Sequence, residues 1–258
     1  DVVVEDMQAQ YEAYTASREV ASASAPAMQI PIGLMGSDEP PAISVVVVAA
    51  GDGLMNVFRS LGATVVVEGG QTMNPSTSQI LDAIASTESD DVVVLPNNKN
   101  ILMAAKQAAE VSDKRVVIVP TRTIPQGVSA LLALDQGASL EENAEAMQAS
   151  SHDVITGEVT WATREVQLNG IHVKEGDAIG LLEDALVVDA QSFDEAVRWL
   201  LAEAELDDRE LVTLYYGDQV TEADAMALAD QLEGFYPDLE FEVIEGSQPH
   251  YPYIVSIE

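Results

Sequence analysis

The apolar run Ile43–Ala50 predicts a strand that is buried on both faces. Three further short apolar runs follow, and the segments between them carry apolar residues at helical spacing. The four predicted strands are Ile43–Ala50, Val65–Val67, Val92–Leu95 and Val116–Val119. Their β-α-β-α-β-α-β order predicts a parallel sheet covered by helices.

The ends of the predicted helices carry residues that favour helix starts and stops. Gly62 is a candidate C-cap for the first helix, and Ser76 or Thr77 can cap the second. A third helix is predicted over Ile101–Val111, and Pro120–Gly127 is predicted to be a loop after the fourth strand.

The pattern changes after Ala149. Residues 154–173 alternate polar and apolar side chains, and Asn169-Gly170 predicts a hairpin turn. Further short strands run through Val188, and two helices and three strands follow them. These are helices Ser192–Glu203 and Glu222–Phe235, and strands Leu211–Tyr216, Leu239–Ile244 and Tyr253–Ile257. We therefore predict an α/β domain over residues 43–150 and a smaller, partly antiparallel α+β domain over 151–258.

The first 42 residues predict a different organisation. Residues 5–19 favour a short polar helix, and the Ala-, Ser- and Pro-rich stretch Val20–Ala42 is typical of a linker. The chain begins inside an apolar run without an initiating Met, which indicates a piece of a longer protein. No basic signal-peptide region or membrane-length apolar run is present in the sequence.

Composition narrows the function classes. The chain has no cysteine, which excludes disulfides and thiolate chemistry and favours a cytoplasmic location. The formal net charge is −33, and residues 151–258 alone carry 25 acidic and 4 basic residues. Such a charge disfavours nucleic acid and anionic membrane surfaces as partners. It is typical either of a solvated acidic surface or of a docking face for a basic partner.

Candidate binding residues lie in the loops that follow the four parallel strands, where ligands bind in open α/β sheets. These loops are rich in amides and hydroxyls, and helix N-termini there favour a carboxylate or phosphate. The candidates are Gln71, Thr72, Asn74, Asn97, Asn98, Asn100, Thr121, Arg122 and Thr123. The alternative interpretation is that Asn, Thr and Gly are simply what strand–helix turns require. The run Pro96–Asn100 contains more Asn than one turn needs.

The sequence offers little support for catalysis. Gly51-Asp52-Gly53 is not followed by the rest of a dinucleotide fingerprint, and no Walker loop is present in the sequence. His152, His172 and His250 share no spacing with one another that would predict a metal or a catalytic pair. We therefore predict no catalytic residue and no metal ligand in this chain.

The stretch Gly246–Tyr253 combines two prolines with two tyrosines before a final strand. A stiff, amphipathic segment of this kind favours a contact patch that includes Gln248, Tyr251 and Tyr253. Alternatively, the two tyrosines cover the edge of the sheet.

Four ordered motifs resemble a known family. They are GGQTMNPST from Gly69, LPNNKNI from Leu95, VPTRTIPQG from Val119 and the ending from Gly246 to Glu258. Together they resemble the C-terminal region of the bacterial dihydroxyacetone-kinase-like (DhaL- and DegV-related) proteins that form the ATP-binding subunit of fatty acid kinase. The order of elements is also similar to the DegV-like fatty-acid-binding fold.

The resemblance implies that ATP and magnesium bind an N-terminal domain outside this sequence, and that no cofactor binds here. It places Asp1–Gln10 at the tail of a middle domain. It further implies that this region recruits the DegV-like subunit whose bound fatty acid is phosphorylated for phospholipid synthesis, without itself being catalytic. A homodimer is compatible with the resemblance.

Two alternatives to docking remain at the level of sequence. The region could bind a fatty acid or small carboxylate directly, with Thr72, Asn97, Asn98 and Arg122 holding the head group in an apolar tunnel between the two halves. A stand-alone kinase or phosphatase acting on a hydroxyketone has the least support.

Overall fold

The computed structural model describes residues 41–71, 73–168 and 171–258. The helix predicted over residues 5–19 and nearly all of the predicted linker lie outside these ranges. The described part begins with four parallel strands in the order β2-β1-β3-β4. The strands are β1 (Ile43–Ala49), β2 (Val65–Glu68), β3 (Asp91–Leu95) and β4 (Arg115–Ile118), and helices α1 (Asp52–Ser60), α2 (Thr77–Ser86) and α3 (Leu102–Val111) connect them.

The helix ends follow the local chemistry. Gly62 comes directly after the C-cap of α1 and adopts φ 102°, a left-handed conformation that glycine reaches without a Cβ clash. Ser76 caps α2 by accepting a hydrogen bond from the backbone N–H of Gln79, whose side chain accepts one in return from the N–H of Ser76. The predicted caps at Gly62 and Ser76 are therefore confirmed.

Two helices that the sequence pattern does not predict follow the first sheet. The predicted loop Pro120–Gly127 is wrong in its second half, because helix α4 spans Ile124–Leu132. Thr123 is its N-cap and Pro125 lies in its first turn, where the missing N–H of proline loses no helical hydrogen bond. Helix α5 (Leu140–Asp153) follows, with a capping box between Ser139 and Glu142.

The second half is built on a six-stranded mixed sheet in the order β11-β10-β12-β5-β8-β9. Strands β10 and β11 pair in parallel, and the other neighbours in this sheet pair antiparallel. Its strands are β5 (Ile155–Trp161), β8 (Ala178–Leu182), β9 (Ala185–Ala190), β10 (Leu211–Tyr216), β11 (Glu240–Glu245) and β12 (Tyr253–Ile257), and helices α6 (Phe193–Glu203) and α7 (Glu222–Phe235) pack on it. Strands β6 (Val166–Leu168) and β7 (Ile171–Val173) pair antiparallel, and the predicted turn between them lies outside the described residues.

The predicted fold class, a parallel α/β sheet followed by a partly antiparallel α+β part, is confirmed. The two halves share a hydrophobic core. Tyr215 of β10 and Ile254 of β12 are buried in the same cluster as Val47, Phe58 and Leu95 of the first half. The division at residue 150 stays a prediction, since these contacts cross it. In the described ranges, no helix has the length and apolar character needed to cross a bilayer.

Candidate functional site

A cavity of about 310 Å³ lies at the carboxyl ends of β1 to β3. The first half contributes the turns after those strands, and the second half contributes β5 and the segment Ser247–Tyr251. Its position is the one where open parallel sheets bind ligands, because loops and helix N-termini converge there. Of the predicted binding residues, six line it: Gln71, Asn97, Asn98, Thr123, Gln248 and Tyr251.

Asn97 lines the cavity, but its polar groups are engaged internally. Its Nδ2 donates to the carbonyl of Val48 at 3.1 Å, and its Oδ1 accepts from the hydroxyl of Thr121 at 2.7 Å. The backbone N–H of Asn97 donates back to Thr121 Oγ1 at 3.1 Å. Asn97 adopts φ 52°, and Thr121 is 1% exposed. This network fixes a left-handed turn, so the structural interpretation accounts for both residues.

The rest of the Pro96–Asn100 run also forms a turn. Oδ1 of Asn98 accepts from the backbone N–H of Asn100 at 2.8 Å, an Asx-type hydrogen bond before α3. Asn100 is exposed and does not line the cavity. Lys99 reaches the second half, where its Nζ lies 2.7 Å from Asp184 Oδ1.

Three other predicted residues lie apart from the cavity or outside the described ranges. Thr72 is outside them, and Asn74 is exposed and not in the lining. Arg122 is exposed and lines a separate depression with His152 and Glu183. The structure therefore does not bring Arg122 together with Asn97 and Asn98.

Thr123 lies between the two depressions. Its hydroxyl caps α4 by accepting from the N–H of Gln126 at 3.3 Å, and it is 2.8 Å from the hydroxyl of Thr156 on β5. The contact ties the start of α4 to the second sheet.

The C-terminal stretch has a different role from the predicted surface patch. Tyr253 is 0% exposed and belongs to the core of the second half, so it is not available to a partner at the surface. Tyr251 is partly buried at the cavity wall and hydrogen-bonds Gln71. Burial raises the pKa of Tyr251, and the nearby carboxylates of Glu158 and Asp184 raise it further.

Gln248 closes the base of this stretch. Its Nε2 donates to the carbonyls of Tyr215 and Tyr251 at 2.8 and 3.1 Å. The residue is 2% exposed, and its Oε1 has no hydrogen-bond partner among the described residues.

Glu158 is the cavity residue that the sequence analysis missed. Burial, reinforced by the carboxylates of Asp184 and Glu183, raises the pKa of Glu158 to about 7, although the charge of Lys99 opposes this. The alternating pattern of β5 predicts that Glu158 faces solvent, and nothing in that pattern shows that the segment Ser247–Tyr251 covers it.

The charged lining of the cavity is acidic. Besides Glu158, it includes Asp52, Glu68 and Asp218, and no Lys or Arg is among the described lining residues. We call this feature the acidic cavity. Within the described ranges, no group of three or more His, Asp or Glu side chains is arranged to hold a metal ion.

A second surface feature lies between α6 and α7. Trp199 and Phe235 are 55% and 68% exposed there, although large aromatic side chains are usually mostly buried. They line a groove of about 430 Å³ together with Glu195, Arg198, Ala202 and Tyr236, which we call the aromatic groove. The Nε of Arg198 is buried and has no hydrogen-bond partner among the described residues.

Comparison with known proteins identifies relatives over most of the chain. A family model for the C-terminal region of FakA-like fatty acid kinase proteins matches residues 44–258. Protein YloV of Bacillus subtilis is 42% identical over 225 residues, which cover 86% of this chain and 41% of YloV. The chain thus spans about two fifths of the length of the curated relatives that it matches.

Two solved structures show the same fold at low sequence identity. The Streptococcus pneumoniae Fatty Acid Kinase (Fak) B3 protein, loaded with linoleic acid, has a TM-score of 0.56 at 11% identity, covering 84% of this chain and 99% of that one. Dihydroxyacetone kinase from C. freundii, in complex with AMP-PNP and Mg²⁺, has a TM-score of 0.59 at 15% identity, covering 84% of this chain and 48% of that one. Since the family model spans most of the chain and YloV is 42% identical to it, this chain belongs to the FakA-like C-terminal family of fatty acid kinase.

Proposed function

We propose that this chain is the docking module of a fatty acid kinase, and that it binds the separate DegV-like subunit that carries the fatty acid. The observation that carries the proposal is the aromatic groove. A Trp and a Phe that are more than half exposed, beside an arginine, make the kind of surface that concentrates binding energy in protein interfaces.

Charge supports a protein with a basic face as the occupant of the groove. The helices that form it carry acids around the rim, including Asp194, Glu195, Glu203 and Glu233. The half of the chain that contains them is strongly acidic as a whole. A partner with complementary charge associates faster and is distinguished from acidic proteins. The buried Nε of Arg198 can donate to a carbonyl of the bound partner.

Direct fatty acid binding has less support. A fatty acid carboxylate is anionic at neutral pH, and the acidic cavity offers it four carboxyl groups and no lysine or arginine among its described lining residues. Arg122, the predicted partner of the head group, lines another depression. The likeness to Fak B3 is a likeness of fold alone.

The proposed module is non-catalytic, and ATP and magnesium are assigned to the part of the longer relatives outside this chain. The chain alone should therefore neither hydrolyse ATP nor phosphorylate a fatty acid. Turnover that copurifies with the chain through successive columns would contradict the proposal.

The direct test is native mass spectrometry of the chain, alone and mixed with the DegV-like protein of the same organism loaded with fatty acid. A complex of defined stoichiometry, with no lipid on the chain itself, is the expected result. A fatty acid mass on the chain, with no complex, would overturn docking in favour of direct binding. An acidic protein of similar size serves as the control for nonspecific association.

A further inference from the structure

The acidic cavity has a charge that its own residues do not neutralise. Asp52, Glu68 and Asp218 are exposed around its mouth, and Glu158 is partly buried in its wall. Carboxylates confined around a concave surface reinforce one another's potential and attract positive charge.

The surroundings of Glu158 leave it without a dedicated cation. Asp184 and Glu183 face it from the turn between β8 and β9, and Tyr251 faces it from the C-terminal stretch. Lys99 is the nearby base, but its Nζ is already 2.7 Å from Asp184 Oδ1. His250 also lines the cavity. The raised pKa of Glu158 is the expected response of a carboxyl group in such an environment.

An independent observation points to a hydrogen-bond donor as the missing partner. Gln248 lines the cavity, is 2% exposed, and its Oε1 accepts no hydrogen bond from the described residues. A buried amide oxygen without a donor is uncommon in folded proteins, because such groups are nearly always satisfied. A ligand that carries N–H groups would satisfy it.

The remaining walls indicate what kind of cation fits. The apolar side chains of Val48, Leu54, Met55 and Ile254 line the cavity alongside the acids. The carboxyl groups are spread around it instead of converging as metal ligands do, since the described residues contain no cluster that could hold a metal. The ring of Tyr251 can contact a flat or tetrahedral organic cation through its face.

From these observations we propose that the acidic cavity binds an organic cation, namely an ammonium or guanidinium group carried on a short alkyl chain. Such a group has two sources, a free small molecule or a Lys or Arg side chain of a bound protein. The proposal does not depend on the docking function, since the cavity and the aromatic groove have no lining residue in common.

The test is isothermal titration of the whole chain with agmatine, which carries a guanidinium and an ammonium on a short alkyl chain. Pentanoate, an anion of similar length, is the control ligand. We expect saturable binding of agmatine and none of pentanoate. Glu158→Gln should weaken agmatine binding about tenfold, whereas Glu110→Gln, which removes the same charge from the exposed face of α3, should change it less than about twofold.

Lowering the pH from 8 to 6 should also weaken agmatine binding to the unmodified chain, because the cation pairs with the ionised form of Glu158. Absence of saturable binding, equal affinity for pentanoate, or equal effects of the two substitutions would overturn the proposal. Asp52→Asn provides a second variant at an exposed position, so a folding defect in one variant does not decide the result.

Competition then separates the two sources. If the DegV-like protein displaces agmatine, a side chain of the partner supplies the cation. If both bind together, the natural ligand is a free small cation. Since agmatine binding is measured without the partner, failure of docking leaves this test intact.

Discussion

Oδ1 of Asn97 lies where a Cβ atom on Gly127 would have to be, at a separation of only 2.1 Å. The amide cannot move aside easily, because Val48 and Thr121 hold it on both sides. We therefore expect Gly127→Ala to destabilise the protein by about 1–3 kcal/mol, although alanine normally favours a helix. The free energy of unfolding in urea measures this.

Gly234 is the matched control for that substitution. It lies in α7, and a Cβ atom there meets nothing within 4 Å. Gly234→Ala should stabilise the protein by roughly 0.5–1 kcal/mol. If both substitutions stabilised, the close contact at Gly127 would not constrain the fold.

Thr121→Val tests the hydrogen bonds that fix the turn at Asn97. Valine has nearly the shape of threonine but leaves the buried Oδ1 and the backbone N–H of Asn97 without the hydroxyl. We expect a loss of about 1–3 kcal/mol in the free energy of unfolding. Thr163→Val, at an exposed position, should have an effect within about 0.5 kcal/mol. Similar losses in both would point to a general effect of the hydroxyl.

The raised pKa of Glu158 predicts a pH dependence of stability. Between the ordinary value of 4.5 and about 7, the folded state holds a proton that the unfolded state has released. The contribution of Glu158 to the free energy of unfolding therefore falls as pH rises through this window, by on the order of 2–3 kcal/mol. Urea unfolding of wild type and Glu158→Gln at pH 5 and pH 8 separates this group from the other acids.

Glu158→Gln should stabilise the protein at pH 8 relative to wild type and have little effect at pH 5. A stability difference that does not change between the two pH values would show that Glu158 does not titrate in this window. Direct NMR titration of its carboxyl carbon gives the pKa independently.

Truncation of the aromatic groove should weaken docking. Trp199→Ala combined with Phe235→Ala removes the two most exposed groove residues, and we expect a loss of at least about 2 kcal/mol in binding to the DegV-like protein. Met103, 66% exposed on α3, supplies the control substitution to Ala. Equal affinities of the two variants, measured by biolayer interferometry, would place the docking surface elsewhere.

Much of the first sheet could be predicted because its strands are buried on both faces and read as apolar runs. Helix α4 was missed because its first turn contains Pro125 and Gly127, which favour loops in sequence but fit a helix start and a close contact in the structure.

The site was harder to predict, since its key property comes from residues distant in sequence. The loop amides Asn97 and Asn98 were found, but the hydrogen bonds to Val48 and Asn100 that give them structural roles depend on the fold. Glu158 was missed because its burial comes from the segment Ser247–Tyr251, about 90 residues later. The covering of Tyr253 by the second core is likewise a tertiary effect.

The shared burial of Tyr215 and Ile254 in the first half has a consequence for motion. Opening the two halves like a clamshell would pull both side chains out of a packed core, exposing apolar surface to water. Hinge closure around a ligand is therefore energetically disfavoured for this chain. Unfolding should be a single cooperative transition, and a ligand should enter the acidic cavity by displacement of the loop that carries Pro249 and His250.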